Sequence, residues 1–408
     1  MTLEDNFINH AKEYIFLDNK TLLNEREEIF KRISQKKFDK KNNESLKNIT
    51  ISDLVTFDYF YKPEIEDSQI SILDNLNYEI RIVNGICKNY EDDNIEIRNF
   101  TNLDFQNFLN QDSNNLDDII IDLNKIFLNS GIFLNIKSNC KLKIRLIHDT
   151  VDNFTIFQNN FLYFKKNCEV ELEDHFNLKQ NSINNINYNI NVDENANIKH
   201  NIFQNFSNSN KLYLTSNTDC EKNSSYDQNT YNFSDGFVRN FHHVRLNGEF
   251  ANASLKGCFF LKDNNVCSNK TNIIHNAENC ISDQVYKGIL NDYSKASYYS
   301  NTFVSDNAQK TEGYQLSKGI LLTDNCSFFS KPELRIFADD VKCSHGSTIG
   351  PVDESALYYL RSRGISKNEA MKMIISSFIE EDLKNLEKDV AKLTINNLSN
   401  YLNALLDD

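Results

Sequence analysis

Residues 141–146 read Lys-Leu-Lys-Ile-Arg-Leu, so apolar residues alternate with basic ones. Residues 170–173, Val-Glu-Leu-Glu, repeat this alternation, and in residues 212–214 two leucines flank a tyrosine. Successive side chains of an extended strand point to opposite sides, so a period of two indicates a strand with one buried face. These segments therefore predict half-buried β-strands.

Short β-type segments of this kind continue from about Ile70 to about residue 340, separated by clusters of Asn, Ser and Asp. The chain has only 11 Gly and 3 Pro in 408 residues, so Gly/Pro-rich hairpin turns are scarce. Many short strands suit either a β-sandwich or a coil of parallel strands, and the lack of hairpin turns favours the coil. We predict a parallel β-helix over residues 70–345, although no strict sequence repeat is visible.

The N-terminal segment has a different pattern. Leu3, Phe7 and Ala11 recur on one face of a helix, and a second apolar series includes Ile29 and Ile33. We predict an N-terminal helical region over residues 1–69.

The C-terminal segment also has a helical pattern. Asp353 can cap one helix, which ends near Gly364, and residues 366–369, Ser-Lys-Asn-Glu, form a capping box for the next. We interpret residues 346–351, Gly-Ser-Thr-Ile-Gly-Pro, as the turn that leads into these helices. The prediction is a C-terminal helical module over residues 346–408.

Composition excludes several classes of function. The 44 basic and 58 acidic residues give a net charge of −14, and no basic cluster suggests binding to nucleic acid. The chain contains no run of about 18 apolar residues, so no membrane span is predicted. The nine cysteines include no Cys-x-x-Cys, which argues against a disulfide framework and fits a reducing cytoplasm. A phosphate-binding Gly-x4-Gly-Lys-Ser/Thr motif is missing, so we expect this chain to bind no nucleotide.

Cys343 and His345 are the principal candidate metal ligands, because thiolate and imidazole both bind transition metals. In an extended strand the two side chains point the same way, with attachment points about 7 Å apart. One metal ion would bring their sulfur and nitrogen atoms within about 4 Å, so they supply half a site at most. Two alternatives stay open: Cys343 is a core residue, or the pair acts in thiol–imidazole catalysis, for which no orienting third group is evident.

Other histidines are weaker candidates. His242 and His243 are adjacent, so in a strand they face opposite sides, and we expect one at the surface and one in the interior. His275 and Cys280 are five residues apart, and packing is the better explanation for them.

Acidic residues at positions 171, 173 and 174 are most simply solvated strand charges: Glu171, Glu173 and Asp174. A pair of carboxylates can also serve a glycosidase if the fold brings the two groups to a suitable separation.

Residues 331–346, which include Cys343 and His345, resemble the SufB/SufD family of iron-sulfur cluster assembly proteins. Residues 286–290, 307–311 and 358–365 extend the resemblance. The Lys-Cys-Ser-His-Gly form of the motif is most like the SufD branch. The resemblance covers roughly the last third of the chain strongly.

This resemblance implies a right-handed parallel β-helix flanked by helical regions. It also implies a non-catalytic assembly subunit that pairs with a SufB-like paralogue through the β-helix and with a SufC-like ATPase through the C-terminal helices. Cys343 and His345 are then expected at the interface, where partner residues complete a transient site for iron or a nascent iron-sulfur cluster.

Two alternative functions remain open on the sequence alone. One is a β-solenoid enzyme acting on carbohydrate, which should purify alone. The other is a purely structural subunit, in which the motif stabilises the interface and assembly is independent of iron.

Overall fold

The computed structural model describes residues 70–74, 77–101, 104, 118–206 and 210–383. The predicted helical region over residues 1–69 and the apolar series from Leu386 onward lie outside the described residues. The first strands and helix are β1 (Ile70–Asp74), β2 (Asn77–Val83), β3 (Tyr90–Glu91), β4 (Ile95–Asn99), α1 (Ile119–Phe127), β5 (Ser130–Ile136), β6 (Lys141–Asp149), β7 (Thr155–Phe164) and β8 (Glu169–Asn177).

The remaining elements are longer and more regular. They are β9 (Ile183–Val192), β10 (Asn197–Gln204), β11 (Lys211–Cys220), β12 (Ser225–Asn232), β13 (Phe237–Leu246), β14 (Asn252–Leu261), β15 (Val266–His275), β16 (Ile281–Leu290), β17 (Lys295–Val304), β18 (Thr311–Leu321), β19 (Ser327–Ile336), β20 (Val341–Pro351), α2 (Glu354–Ser362) and α3 (Lys367–Leu383).

The strands form two ten-stranded sheets, and the chain passes back and forth between them. Sheet A has the order β1-β2-β6-β8-β10-β12-β14-β16-β18-β20, and sheet B has the order β19-β17-β15-β13-β11-β9-β7-β5-β4-β3. Pairing is parallel except for β1 with β2, β3 with β4, and β4 with β5 at the N-terminal end. This arrangement confirms the predicted parallel β-helix.

Asparagines at the same turn of successive coils set the coil length. Asn139, Asn167, Asn195 and Asn223 have φ between 57° and 61°, a left-handed conformation that Asn tolerates better than most residues. Asn167, Asn195 and Asn223 each donate from the side-chain amide to the asparagine 28 residues earlier, at 2.9–3.1 Å. The turns therefore stack in register, and the strands that follow them do so too.

The interior is filled by side chains that point inward in rows. Leu142, Ile144 and Leu146, predicted from their alternation, are buried in one apolar cluster that runs along the β-helix. The interior also holds a charged residue, because the carboxylate of Asp174 accepts hydrogen bonds from His148 at 3.0 Å and from His200 at 2.7 Å. These hydrogen bonds compensate for the loss of water around the carboxylate.

The expectation that Glu173 and Asp174 are solvated is wrong, since both are fully buried. Glu173 lies on the other side of β8, where Arg145 and His175 donate to its carboxylate at 2.9 and 3.2 Å. Arg145 belongs to the preceding coil, so a local pattern could not reveal this pairing. Glu171 is partly exposed, as expected.

The first C-terminal helix begins at its predicted cap, but the segment before it differs from the prediction. Residues 346–351 are not a turn, because they pair in parallel with β18 and complete β20. Asp353 caps α2 as predicted, accepting from the backbone amides of Ser355 and Ala356. Ile375 and Ile379 of α3 are buried in an apolar cluster with side chains of sheet A, and Lys287 donates to the carbonyl of Phe378 at 3.1 Å.

On sheet B, Asp118 caps α1 and forms a buried ion pair with Arg239 of β13. The described helices include none that is both long and apolar enough to cross a membrane.

Replacing Asn195 tests the contribution of the stacked turns. Asn195→Ala should lower the free energy of unfolding by about 2 kcal/mol, because alanine is strained at φ 58° and two ladder hydrogen bonds are lost. Asn195→Gly loses the same hydrogen bonds without the strain, so it should cost about 1 kcal/mol less than the alanine variant. Urea unfolding followed by circular dichroism measures both. An alanine variant as stable as the glycine variant would contradict the role of the turn.

Glu173 predicts a dependence of stability on pH. Burial alone raises the pKa of Glu173, but the hydrogen bonds from His175 and Arg145 and the charges of Arg145 and Lys143 lower it to about 2. A carboxyl group with a lowered folded-state pKa contributes stability above its unfolded value, 4.5, and this contribution disappears as the pH falls towards 2. Glu173→Gln should therefore cost about 3 kcal/mol at pH 7 and progressively less below pH 4.5.

The control for this prediction is Glu169→Gln on the same strand. Glu169 is exposed and forms a surface ion pair with Lys141 at 2.7 Å, which contributes little to stability. As the pH falls from 7 to 3, the free energy of unfolding of Glu173→Gln should approach that of wild type. Glu169→Gln should show no such convergence. A pH-independent difference would rule out the assigned role of the carboxylate.

Candidate functional site

Cys343 and His345 lie on β20, the last strand of sheet A. In the parallel ladder Cys343 pairs with Gly313 and His345 pairs with Gln315, both of which are buried in the row that faces the interior. Cys343 and His345 continue these inward-facing rows by one coil. No later coil of the described chain covers them, so Cys343 is half-buried and His345 is exposed. The two side chains are therefore at the open end of the β-helix interior.

The thiol of Cys343 packs closely against the preceding coil. A Cβ atom at Gly313 would lie 3.3 Å from its sulfur, so glycine at that position leaves room for the thiol. Cys343 also contacts a small apolar cluster of Val304, Ala308 and Ala338. Burial raises the pKa of Cys343, so the thiol form is favoured while this packing persists. Binding a metal as thiolate requires that the proton be released.

The donor types suit a soft or borderline metal, but their number does not complete a site. Thiolate and imidazole together bind iron or zinc in many proteins. Within the described ranges no three His, Cys, Asp or Glu side chains are grouped so that they could hold a metal ion. Two of the four ligands of a tetrahedral site are the most that Cys343 and His345 provide.

A polar groove of about 380 Å³ lies next to this end of the β-helix. Its lining includes Lys310, Glu312, Asp340 and Lys342, and Lys342 forms an ion pair with Glu312 at 2.8 Å. No local sequence pattern marks this groove, because its residues come from three successive coils.

A larger groove of about 720 Å³ lies on sheet A near the opposite end, away from Cys343 and His345. Its carboxylates include Glu169 and Glu171, which form ion pairs with Lys141 at 2.7 Å and Lys199 at 3.4 Å. The larger volume of this groove is therefore not by itself evidence for a catalytic site.

His242 and His243 face opposite sides of β13, as predicted, but neither is at the surface. His242 Nδ1 is 2.8 Å from Ser216 Oγ in the interior, and His243 Nδ1 is 2.8 Å from Asn272 Nδ2 on the other face. Burial lowers the pKa of His242 to about 3 and that of His243 to about 4, so both rings are neutral. The expected surface position is thus wrong for His243.

His275 and Cys280 are both buried and use different partners. His275 Nε2 is 2.8 Å from Ser282 Oγ, whereas Cys280 Sγ donates to the carbonyl of Gly248 at 3.3 Å. The geometry agrees with a packing role.

The end of the β-helix that carries Cys343 also has two long edge strands. In the described residues, β19 and β20 each pair with a neighbour on one side only. β19 and the residue after it expose Phe329, Ile336 and Phe337. Pro332 lies within β19, and proline is largely confined to edge strands. Pro332 is the sequence signal from which an edge strand could have been predicted here.

Comparison with known proteins agrees with this fold. A family model described as the SufBD core domain of SUF system FeS cluster assembly matches residues 146–378, more than half of the chain. The chain is 38% identical over 138 residues to the iron-sulfur cluster assembly protein SufD of Escherichia coli. The aligned segment covers 34% of this chain and 33% of that protein.

Other members of the family match over similar segments. An iron-sulfur cluster assembly SufBD family protein of Synechocystis is 38% identical over 101 residues, which is 25% of this chain and 22% of the relative. One from Staphylococcus saprophyticus is 26% identical over 200 residues, 49% of this chain and 43% of the relative. The matched segments thus span between about a fifth and less than half of these relatives. With the parallel β-helix over the residues that the family model matches, they show that this chain belongs to the SufBD family of iron-sulfur cluster assembly proteins and is SufD-like.

Proposed function

We propose that this chain is the SufD-like scaffold subunit of a SufBCD-type complex that assembles iron-sulfur clusters. It pairs with a SufB-like paralogue through the end of the β-helix and with a SufC-like ATPase through the C-terminal helices. The observation that carries this proposal is the position of Cys343 and His345, two metal-binding side chains on an edge strand at the open end of the interior.

The two edge strands support pairing at this end. β19 and β20 are 10 and 11 residues long, and an uncovered edge of that length favours pairing with another strand. The exposed Phe337, with 63% of its surface accessible, and Phe329 provide apolar area beside that edge. A paralogue with the same β-helix fold presents a matching end, so the two interiors meet and enclose the site.

The helices support attachment of the ATPase. No residue of α2 is buried, and Tyr358 and Tyr359 are 76% and 58% exposed. Helix α3, by contrast, is anchored to sheet A through Ile375, Ile379 and the bond from Lys287. An ATPase bound to α2 can therefore pull on the β-helix through α3.

In this mechanism iron is the cargo and the scaffold performs no hydrolysis itself. ATP hydrolysis takes place in the SufC-like subunit, and the resulting movement of α2 and α3 opens the interface between the paired β-helices. Opening makes Cys343 and His345 accessible, and the Cys343 thiol releases its proton to solvent as it binds iron together with the imidazole of His345. Side chains of the SufB-like subunit supply the other ligands.

Phe337 provides a test of the interface. When this chain is co-expressed with SufB-like and SufC-like proteins, Phe337→Glu should weaken binding of the SufB-like subunit at least tenfold, because it places a charge in an apolar contact. The SufC-like subunit should remain bound through the helices. Stoichiometry measured after affinity purification and gel filtration checks this result.

Val151→Glu is the matched control, since Val151 is 45% exposed but lies near the other end of the β-helix. It should leave the complex intact. Equal amounts of SufB-like subunit with both variants would contradict the proposed interface, and a chain that purifies alone and cleaves carbohydrate would support the solenoid enzyme instead.

His345 and Cys343 provide a test of the site. In complexes purified anaerobically, His345→Ala and Cys343→Ser should each reduce bound iron at least tenfold without changing subunit stoichiometry, because each removes one ligand. Ser344→Ala on the opposite side of β20 is the control and should retain wild-type iron. Full iron content in both ligand variants would favour the purely structural subunit.

A further inference from the structure

Gln315 is the inward-facing residue directly behind His345. It pairs with His345 in the parallel ladder between β18 and β20, and only 3% of its surface is accessible. In-register side chains on the same side of parallel strands are nearest neighbours, about 5 Å apart at their attachment points. The Gln315 amide and the His345 ring can therefore reach each other.

The hydrogen-bond partners of Gln315 distinguish its amide nitrogen from its amide oxygen. Its Nε2 donates to Thr302 Oγ1 at 2.8 Å and to the backbone carbonyl of Glu333 at 3.2 Å. A backbone carbonyl can only accept, so the group next to Glu333 must be the amide nitrogen. Both hydrogens of that nitrogen are used, and the oxygen has to find a donor elsewhere.

The amide oxygen of Gln315 is buried and has no hydrogen-bond partner. Leaving a buried acceptor unsatisfied costs about 1–3 kcal/mol, so a donor within reach is strongly favoured. Gln284, the neighbour one coil further in, donates to the same Thr302 hydroxyl at 2.8 Å, and its own amide oxygen is also buried without a partner. On the outer side the neighbour in the row is His345, whose imidazole carries an N–H.

We infer that Gln315 is a positioning residue for His345. When the exposed His345 side chain turns towards the interior, the Gln315 Oε1 accepts a hydrogen bond from one ring nitrogen, which keeps the imidazole in a single tautomer. The other nitrogen then presents its lone pair at the open end of the interior, towards the iron cargo. Accepting groups of this kind fix the tautomer of metal-binding histidines in other proteins. The inference rests on the proposed function only where it gives the hydrogen bond a role in binding iron. The hydrogen bond itself requires no metal.

The test is the tautomer of His345 in the full chain without iron. Nitrogen-15 NMR of histidine-labelled protein at pH 8 distinguishes a single tautomer from an exchanging mixture, and His345→Ala assigns the signals. Wild type should show one protonated and one unprotonated nitrogen. Gln315→Met, which has a similar size but no amide oxygen, should give averaged nitrogen shifts, whereas Gln315→Glu, which retains an acceptor, should restore the single tautomer.

Ser317→Ala is the matched control, because Ser317 faces the interior on the same strand but pairs with Ser347. It should leave the His345 signals unchanged. A single tautomer in Gln315→Met identical to that of wild type would overturn the inference. If the methionine variant does not fold, Gln315→Glu decides, since a tautomer mixture in that variant would overturn it as well.

A second measurement separates this inference from the proposed function. In the anaerobic complex, Gln315→Met should weaken iron(II) binding about tenfold. If His345→Ala leaves iron binding unchanged while the tautomer result holds, the iron-binding role fails and the hydrogen bond stands. If His345→Ala abolishes iron binding but Gln315→Met leaves both iron affinity and tautomer unchanged, the positioning role fails and the proposed function stands.

Discussion

Stacking of coils in register determines where every other feature of this structure lies. A strand inside the stack, such as β8, pairs with the strand one coil before and the strand one coil after it, and the asparagine ladder at positions such as Asn167 and Asn195 keeps these coils 28 residues apart. Inward side chains consequently form straight rows through the molecule. A stack of this kind has to end, and its last coil leaves unpaired strand edges and an open interior. The candidate site lies at this end, on β20.

The position of the site explains why it is chemically incomplete. Cys343 and His345 extend two interior rows beyond the last covered coil, where only one side of each residue has a neighbour in the described chain. Behind them Gly313 makes room for the sulfur and Gln315 offers an acceptor to the ring. Residues of this chain thus surround the pair on the inner side, while the outer side is open to a partner. The geometry of the stack supports the proposed shared site more directly than the Cys-x-His spacing does.

Alternation of Leu142, Ile144 and Leu146 was sufficient to predict strands, and the scarcity of Gly and Pro to predict parallel coils. The 28-residue spacing of the asparagines is present in the sequence, but later coils differ in length and carry Phe250 or Lys310 at the corresponding left-handed turns. Burial of Asp174 could not be predicted, because the histidines that bind it are 26 residues away in neighbouring coils. Likewise, residues 346–351 resemble a turn locally and become a strand only because β18 provides a ladder for them. The candidate ligands Cys343 and His345 were recognisable by residue type, whereas their place at the end of the interior required the coil register.

In the proposed function, Cys343 and His345 form one side of an iron site that a paired subunit completes. This arrangement can be tested by anaerobic iron(II) titration of the isolated chain and of the assembled complex, side by side. We expect a saturable site in the complex that is lost in the Cys343→Ser/His345→Ala double variant, together with at least tenfold weaker binding to the isolated chain. Equal affinity of the isolated chain, or unchanged binding by a complex that contains the double variant, would contradict it.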